Sequence, residues 1–323
     1  MILGIVCAII SCLLWGVIFI GPLLVPEYPG MLQASGRYIV FGLISLPLSW
    51  IDRKHLCKLS LQDWIEAIKL VISGHLIYYA CLASAIQRIG APISTAIIGT
   101  LPIMIMIIAH IIMKNNNQKK NNKKFFKCSI IMPIVLIGIG LLCINISELK
   151  SENLIEYNSL EYIVGIILAV ISVISWSWYA LRNAHWLKTH PNNKPITWTN
   201  AQGIVTLPLS CFTYFIICLY SYYVKDEFIL PLGPRPFFFI LLMISIGLCC
   251  SWLGTFFWNK ASQRLPTTLM GSLIVFETIA GLIYAFIHRW LWPSSLILIG
   301  IILLISGVLC ILYIENVYKH NYQ

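Results

Sequence analysis

The sequence predicts an all-α polytopic membrane protein with ten transmembrane helices, arranged as two inverted five-helix repeats. Three observations lead to this fold class. The composition is far more apolar than that of a soluble protein, ten apolar segments are long enough to approach the width of a bilayer, and motifs of the first half return in the second half.

Composition separates this chain from soluble proteins. Of its 323 residues 59% are apolar and only 11% are charged, and the absence of a long polar stretch leaves no room for a soluble domain. Nearly all Cys residues lie within apolar segments, without the spacing of a disulfide framework or a metal site. We therefore expect them to be small buried side chains, and we expect neither a metal nor a cofactor.

Ten apolar segments predict the membrane spans, because a helix needs about 20 residues to cross roughly 30 Å of hydrocarbon. In chain order, the predicted spans are 2–24, 31–50, 65–85, 92–113, 128–146, 162–186, 196–222, 237–258, 267–288 and 294–314.

The second half of the chain repeats motifs of the first half in similar order, at offsets of 161 to 176 residues. The matching sets are Gly4, Ala8, Ser11 and Trp15 with Gly165, Ala169, Ser172 and Trp176; 46–49 with 207–210; 85–88 with 261–264; and 140–143 with 307–310. Such an ordered set indicates duplication, with repeats over 1–150 and 160–316. The Lys/Asn-rich segment 114–127 is expected to be a flexible cytoplasmic loop.

The Lys and Arg residues predict the orientation of the chain. They concentrate on the face that carries the N-terminus, above all in loop 114–127, whereas the opposite face has fewer, Arg37 and Arg88 among them. By the positive-inside rule, both termini are expected in the cytoplasm, with the chain in a bacterial inner membrane. The net charge of +10 is then a topology signal that favours contact with anionic lipids. Nucleic-acid binding, for which loop 114–127 is the candidate, is not expected.

An odd number of spans in each repeat has a mechanistic consequence. A second five-span repeat enters the membrane from the opposite side, so that a pseudo-twofold axis in the membrane plane relates the two halves. Such a molecule has two nearly equivalent gates around a central site. Exchange of conformation between the halves would expose that site to each side in turn.

Several motifs resemble those of the drug/metabolite transporter superfamily, in its ten-span form built from two EamA-type repeats. They are Ser11-x-x-x-Trp15-Gly16, Ala85-x-x-x-x-Gly90-Ala91-Pro92, Thr100-Leu101-Pro102-Ile103 and Phe276-Glu277-Thr278. The resemblance covers essentially the whole chain and implies transport of amino acids, other small metabolites, nucleotide sugars or toxic organic cations. Relatives often carry Pro after the Glu of span nine, so Thr278 argues against a helix break there equal to that of span four.

Glu277 is the only acidic residue deep within a predicted span. Insertion scales assign about 2.5 to 3.5 kcal/mol to a carboxylate at the bilayer centre, so this side chain is expected to face the protein interior or water. It is a candidate counter-charge for a substrate amine, or a candidate carrier of a coupling proton. The alternative is a hydrogen-bonded structural group at an irregular point of span nine.

Aromatic side chains interleaved with small polar residues supply the other candidates for the substrate pathway. They are His75, Tyr78 and Tyr79 in span three, Trp252 and Phe256 in span eight, Trp15 in span one, and Trp176 and Tyr179 in span six. Such side chains suit the wall of an amphipathic pocket, and Trp faces attract aromatic or cationic groups. Alternatively, they are packing or interfacial residues, and the His donates to a neighbouring helix.

Pro102, together with Gly99 and Thr100, is a candidate hinge in span four. Proline inside a helix removes a backbone hydrogen bond and favours a kink. The kink is either a hinge for gating or a static bend.

These features predict a secondary transporter and not an enzyme. The sequence has no Walker motif or Gly-rich phosphate loop, so a gradient must supply the energy. One buried acid with aromatic walls favours export of an amino-acid-like solute, and efflux of toxic organic cations is the alternative. An integral membrane enzyme would need a polar catalytic cluster at an interface, which we do not find. The expected partners are the solute, membrane lipids and a coupling proton.

Overall fold

The computed structural model describes residues 1–115, 120–151, 159–224, 231–290 and 292–322, and the regular structure within these ranges is helical. The helices of the first half are α1 (Ile2–Gly16), α2 (Gly21–Leu24), α3 (Gly30–Ile51), α4 (Arg53–Leu56), α5 (Leu61–Val71), α6 (Tyr78–Ile98), α7 (Leu101–Asn115) and α8 (Lys120–Ser151). Those of the second half are α9 (Ser159–Thr189), α10 (Pro195–Val224), α11 (Pro236–Ile246), α12 (Gly254–Ser262), α13 (Thr267–Leu273), α14 (Val275–Arg289) and α15 (Ser295–Tyr322).

Eight helical stretches of the described chain are long and apolar enough to cross a membrane. They are Ile2–Leu24, Gly30–Ile51, Leu61–Gly90, Leu160–Thr189, Pro195–Tyr223, Pro236–Ser262, Thr267–Ile287 and Ser295–Ile314. Predicted spans three and eight fall on two of these stretches. Predicted span five corresponds to a shorter apolar helix, Ile131–Ser147, and span four is divided between the end of α6 and α7. Length and composition therefore support eight of the ten predicted spans.

Helices extend into the predicted loop 114–127 from both sides. α7 continues to Asn115 and α8 begins at Lys120. Residues 116–119 lie outside the described residues. The structure thus narrows the non-helical part of this connection relative to the prediction.

Two helical spans contain a wider, π-helical turn at equivalent positions of the two halves. One segment, Ile72–Ile77, joins α5 to α6, and the other, Gly247–Leu253, joins α11 to α12. A π-helical turn inserts an extra residue into the helix and re-aims the side chains around it, and such turns are frequent at functional sites.

Two further helices are broken midway. α6 and α7 are separated at Gly99 and Thr100, and α13 and α14 are separated at Ile274. Span nine is thus interrupted at one residue, which keeps helical dihedral angles (φ −60°, ψ −24°), and span four at two; that the two breaks are unequal stays a prediction. The amide of Glu277 donates to the carbonyl of Ile274 at 2.8 Å, an i→i−3 contact that tightens the helix locally and needs no proline.

Equivalent residues make equivalent hydrogen bonds between the halves. Ser11 Oγ of α1 donates to the carbonyl of Gly254 at 2.8 Å, and Ser172 Oγ of α9 donates to that of Tyr78 at 3.1 Å. The two Ser residues are 161 positions apart (172 − 11) and the two acceptors are 176 apart (254 − 78), both offsets of the sequence repeat. α1 accordingly packs on α12 as α9 packs on α6.

The Gln residues of the two Gln-Arg motifs also make equivalent contacts. The side-chain amide of Gln87 donates to the carbonyl of Tyr28 at 2.8 Å, and that of Gln263 donates to the carbonyl of Asn193 at 3.0 Å. Each Gln thereby holds the loop between the first two long helices of its own half.

The long helices pack as pairs with one member from each half. α3 lies along α10, and α8 lies along α15. Between α8 and α15 the backbones approach so closely that a Cβ on Gly140 would lie 2.8 Å from the carbonyl oxygen of Gly300. Small residues permit this approach, as in other helix pairs within membranes. α1, α3, α9, α12 and α14 surround a central space.

Candidate functional site

A buried cavity lies midway along the helices. It is small and is lined by buried side chains, and both halves of the chain contribute to its wall. We call it the central cavity, and its lining residues are Trp15, Ile18, Arg37, Tyr38, Gly74, His75, Tyr78, Trp176, Tyr179, Thr255 and Glu277.

The central cavity brings together most of the residues that the sequence singled out. Those on its wall are Trp15, His75, Tyr78, Trp176, Tyr179 and Glu277. The other three, Tyr79, Trp252 and Phe256, do not line it. Five lining residues were absent from the prediction: Ile18, Arg37, Tyr38, Gly74 and Thr255.

Glu277 is 3% exposed and lies near the start of α14, just after the break at Ile274. Its Oε2 atom is buried and has no hydrogen-bond partner in the structure. Burial of a carboxyl oxygen without a partner costs free energy, because its hydrogen bonds to water are lost and no protein hydrogen bond replaces them. The arrangement differs from the structural alternative, in which the carboxyl group would be satisfied by the helix.

Arg37 was predicted to be a topology charge on the outer face, but it is buried. It is 3% exposed, within α3, and its Nε donates to Ser251 Oγ at 2.7 Å. Its guanidinium lies 4.5 Å from the ring centroid of Tyr79 and 5.0 Å from that of Tyr38. The argument applied to Glu277 would have identified it, because Arg37 also falls within a predicted span.

One terminal nitrogen of Arg37, Nη1, is buried without a hydrogen-bond partner. Arg37 and Glu277 share the central cavity but form no ion pair with each other among the described contacts. The cavity therefore holds a guanidinium and a carboxyl group, each with an atom that has no hydrogen-bond partner.

Three Trp rings form a cluster, and two of them, Trp15 and Trp176, line the cavity. Trp15 meets Trp176 edge to face at 5.6 Å between centroids, and Trp258 packs against both, at 5.1 and 5.4 Å. The indole Nε1 of Trp15 donates to the carbonyl of Cys250 at 2.7 Å, which fixes its ring. The repeat-related Trp residues of α1 and α9 thus meet in the centre of the molecule, as part of a wall suited to an apolar or aromatic group.

His75 lies in the first π-helical segment, among aromatic rings. It stacks on Tyr38 at 5.1 Å and contacts Tyr179 at 5.5 Å, and its Nδ1 is 3.5 Å from Thr206 Oγ1. The neighbouring residue must be small, because a Cβ on Gly74 would overlap the ring of Tyr179. Gly74 therefore allows the Tyr179 ring to reach the cavity wall.

The three predicted residues outside the cavity have other contacts. Tyr79 is buried beneath the guanidinium of Arg37. Trp252 donates from Nε1 to Asn200 Oδ1 at 3.1 Å and stacks on Phe256 at 5.7 Å. Tyr79 thus supports a cavity residue, whereas the pair in span eight packs to one side.

The candidate hinge residues lie at the break between α6 and α7. Gly99 and Pro102 are buried and Thr100 is exposed, with its Oγ1 donating to the carbonyl of Ile97 at 2.7 Å. None of the three hinge candidates lines the central cavity.

A buried cluster of three amide side chains and two hydrogen-bond partners lies beyond one end of the cavity. We call Asn183, Trp198, Thr199, Gln202 and Asn259 the amide cluster; all five are 0% exposed. Asn183 donates to Asn259 Oδ1 at 2.7 Å and accepts from Trp198 Nε1 at 2.8 Å and Gln202 Nε2 at 3.0 Å, while Asn259 donates to Thr199 Oγ1 at 2.9 Å. Each amide of the cluster has a partner, so this end is closed by hydrogen bonds.

The opposite end is held by the loops before α3 and α11. Glu27 pairs with Arg235 Nε at 2.5 Å, and the ring of Tyr28 stacks on Phe239 at 4.3 Å. The hydrogen bond from the Arg235 guanidinium lowers the pKa of Glu27. These contacts close the second end of the helix bundle.

Among the described residues, no group of three or more His, Cys, Asp or Glu side chains could hold a metal ion. The described Cys residues are free thiols. The polar chemistry of the site is that of Arg37, Glu277, His75, Thr255 and the Tyr hydroxyls.

Comparison with known proteins extends this description. Residues 2–146 match the model of the EamA-like transporter family. The chain is 48% identical over 308 residues to the inner membrane protein YtfF of Escherichia coli (strain K12), which covers 95% of this chain and 94% of that protein. A protein crystal structure with 12% identity matches 97% of this chain and 98% of its own length with a TM-score of 0.68, which shows a shared fold.

Proposed function

The chain belongs to the EamA-like transporter family, and on that premise we propose that it exports a small, amino-acid-like solute across the inner membrane by alternating access. As a family member it is a membrane transporter of the drug/metabolite transporter superfamily. The solute class, the direction and the mechanism are the proposed parts.

We propose a ten-span arrangement of two inverted repeats, 1–150 and 160–316. Three pairs of features support it: the hydrogen bonds of Ser11 and Ser172, the π-helical segments Ile72–Ile77 and Gly247–Leu253, and the helix breaks near Gly99 and at Ile274. Each pair is related by an offset close to those of the sequence repeat. Five spans in each repeat place the second copy in the opposite orientation.

The single observation that carries the mechanism is the position of the central cavity. It lies between the two halves, with the amide cluster towards one end and the Glu27–Arg235 contacts towards the other. A site between two such sets of contacts would reach water on one side when one set opens and on the other side when the other set opens. The broken helices at Gly99 to Pro102 and at Ile274 are the proposed hinges, since each can bend without loss of regular helix on either side.

Efflux of organic cations is the second candidate. The Trp and Tyr rings of the cavity favour it, because their faces attract cations. Arg37 opposes it, because its positive charge lies in the same cavity. The amino-acid-like solute is therefore preferred.

Counterflow in proteoliposomes tests the function directly. Purified protein is reconstituted with unlabelled solute inside, and uptake of the labelled solute is followed for amino acids, nucleosides, polyamines and quaternary ammonium ions. Exchange of an amino acid supports the proposal, and exchange of quaternary ammonium ions alone favours the second candidate. No exchange across the panel contradicts the proposed solute classes.

Reporter fusions test the proposed orientation. Fusions at positions 121 and 153 should report the cytoplasm and the exterior, respectively, if both termini are cytoplasmic. The reverse pattern would overturn the orientation while leaving the transport proposal in place.

A further inference from the structure

We propose that Arg37 binds the carboxylate and Glu277 binds the ammonium group of one substrate molecule, so that the central cavity selects zwitterionic α-amino acids with an uncharged side chain. This inference rests on the proposed transport function and names its substrate class. It depends on how the two charged side chains are held.

The first step is that each of the two side chains has a buried polar atom without a partner. Arg37 Nη1 and Glu277 Oε2 are buried polar atoms without hydrogen bonds, in side chains that are each 3% exposed. Buried polar groups in proteins are almost always paired, so each such exception calls for an explanation. Two exceptions of opposite charge on the wall of one cavity indicate an occupant that satisfies both.

The second step is that the Arg37 side chain is held in place while its Nη1 keeps no hydrogen-bond partner. Ser251 Oγ accepts a hydrogen bond from Nε, and the guanidinium lies over the rings of Tyr38 and Tyr79. These contacts hold the side chain and leave Nη1 without a partner. A planar guanidinium held in this way matches the geometry of a carboxylate.

The third step is charge balance. Arg37 and Glu277 are not paired with each other, so a ligand that bridges them need not break an existing ion pair. A zwitterion satisfies both groups, whereas an amine leaves Arg37 unpaired and a carboxylic acid leaves Glu277 unpaired. Leaving one buried charge unpaired is costly, which gives the site its selectivity.

The fourth step concerns the side chain of the ligand. Apart from Arg37 and Glu277, the described wall has no Lys, Arg, Asp or Glu, and aromatic rings occupy much of it. Trp15, Trp176 and Tyr78 present the surface that an apolar or aromatic side chain would contact. A third charge on the ligand would find no partner there.

Matched sets of three ligands test the proposal. The sets are leucine, 3-methylbutylamine and 4-methylpentanoate, and phenylalanine, phenethylamine and 3-phenylpropionate; within each set only the charged groups differ. Binding to the purified full-length protein is measured by thermal shift as a function of ligand concentration, because a ligand of the folded state raises its apparent stability. At least one amino acid should bind more tightly than both of its analogues.

Two variants then separate the roles of the charges. Arg37→Gln should weaken amino-acid binding by about 10- to 100-fold, as expected for loss of a charge-assisted hydrogen bond, while sparing the amine. Glu277→Gln should weaken amino-acid binding by a similar factor while sparing the carboxylic acid. Arg88→Gln and Glu161→Gln are matched controls, because these residues form an exposed ion pair of 3.0 Å outside the cavity, and neither should alter binding.

The outcomes decide the inference separately from the function. Equal weakening of all three ligands by both variants would assign Arg37 and Glu277 a structural role, and absence of binding by both amino acids would also overturn the inference. If counterflow nevertheless shows exchange of another solute, transport stands and only the zwitterion site fails. If the Arg37→Gln variant does not fold, the Glu277→Gln variant decides alone. Weaker binding of the amino acid and the amine, with unchanged binding of the carboxylic acid, supports the proposed site. Any other pattern contradicts it.

Discussion

The amide cluster and the central cavity are both buried and polar, but they differ in how their polar atoms are paired. In the amide cluster, Asn183, Gln202 and Asn259 use their side-chain oxygens and nitrogens in hydrogen bonds with one another and with neighbours. In the cavity, Arg37 and Glu277 each retain an unpaired atom. A satisfied network stabilises a structure, whereas unsatisfied charges are retained at a cost that a ligand removes.

Asn183→Ala should give the largest change in stability, because it removes three hydrogen bonds of the amide cluster. It leaves the Nε1 of Trp198, the Nε2 of Gln202 and the Oδ1 of Asn259 without their partner. At about 1 to 3 kcal/mol for each buried group left unpaired, we expect a loss of about 3 kcal/mol or more. Thermal unfolding of the purified protein in detergent measures it.

Asn192→Ala is the control for this variant, since Asn192 is exposed on the loop between α9 and α10. It should unfold at nearly the temperature of the unchanged protein. If both Ala variants unfold at the same temperature, the amide cluster does not stabilise the fold and the comparison with the cavity fails.

Gly74→Ala should give an intermediate change, because it alters the cavity wall through packing alone. The new Cβ would overlap the ring of Tyr179 and force that ring to shift, at a typical cost of about 1 to 3 kcal/mol for overpacking. Transport should fall as the cavity changes shape.

Gly138→Ala is a matched control in a helix, because its Cβ would meet only Ile103 Cδ1 at 3.7 Å, an ordinary contact. It should retain transport and stability. Full transport by Gly74→Ala in proteoliposomes would show that the Tyr179 side of the cavity is not on the solute pathway.

Glu27→Gln should give the smallest change in stability, because the Glu27–Arg235 pair lies near the surface and belongs to neither buried region. Arg235 lowers the pKa of Glu27, so the pair stabilises the fold fully above the ordinary value of 4.5 and loses this contribution as pH falls through the lowered pKa. The variant should melt slightly below the unchanged protein at neutral pH, and the difference should shrink in acid. A difference that stays constant from neutral to acidic pH would contradict the assigned pair.

The sequence predicted the parts of the fold that depend on apolar length and on the repeat. Ser11 and Ser172 were matched as repeat partners, and the structure places them in equivalent hydrogen bonds. Glu277 was identified because a lone acid within an apolar span is conspicuous. These signals are local in sequence and need no knowledge of tertiary contacts.

The remaining features depend on contacts that a single sequence does not specify. Arg37 was assigned to the outer face because it lies close to the start of span two, and only the packing of α3 against Ser251 and Tyr79 places it in the cavity. Asn183 was not recognised as a hub, because its partners come from α10 and α12. The break at Ile274 was missed because local tightening of a helix leaves no proline in the sequence.

The central claim is that the unpaired charges of the cavity serve the transported solute, and the most direct test compares Glu277→Gln with Glu161→Gln. Both variants replace a carboxylate by its isosteric amide, one inside the cavity and one on the surface. Counterflow of an amino acid is measured at equal amounts of folded protein. We expect Glu277→Gln to exchange the amino acid at least about tenfold more slowly, with a thermal stability no lower than that of the unchanged protein, and Glu161→Gln to match the unchanged protein. Equal exchange rates for the two variants would contradict the claim and leave Glu277 as a structural residue.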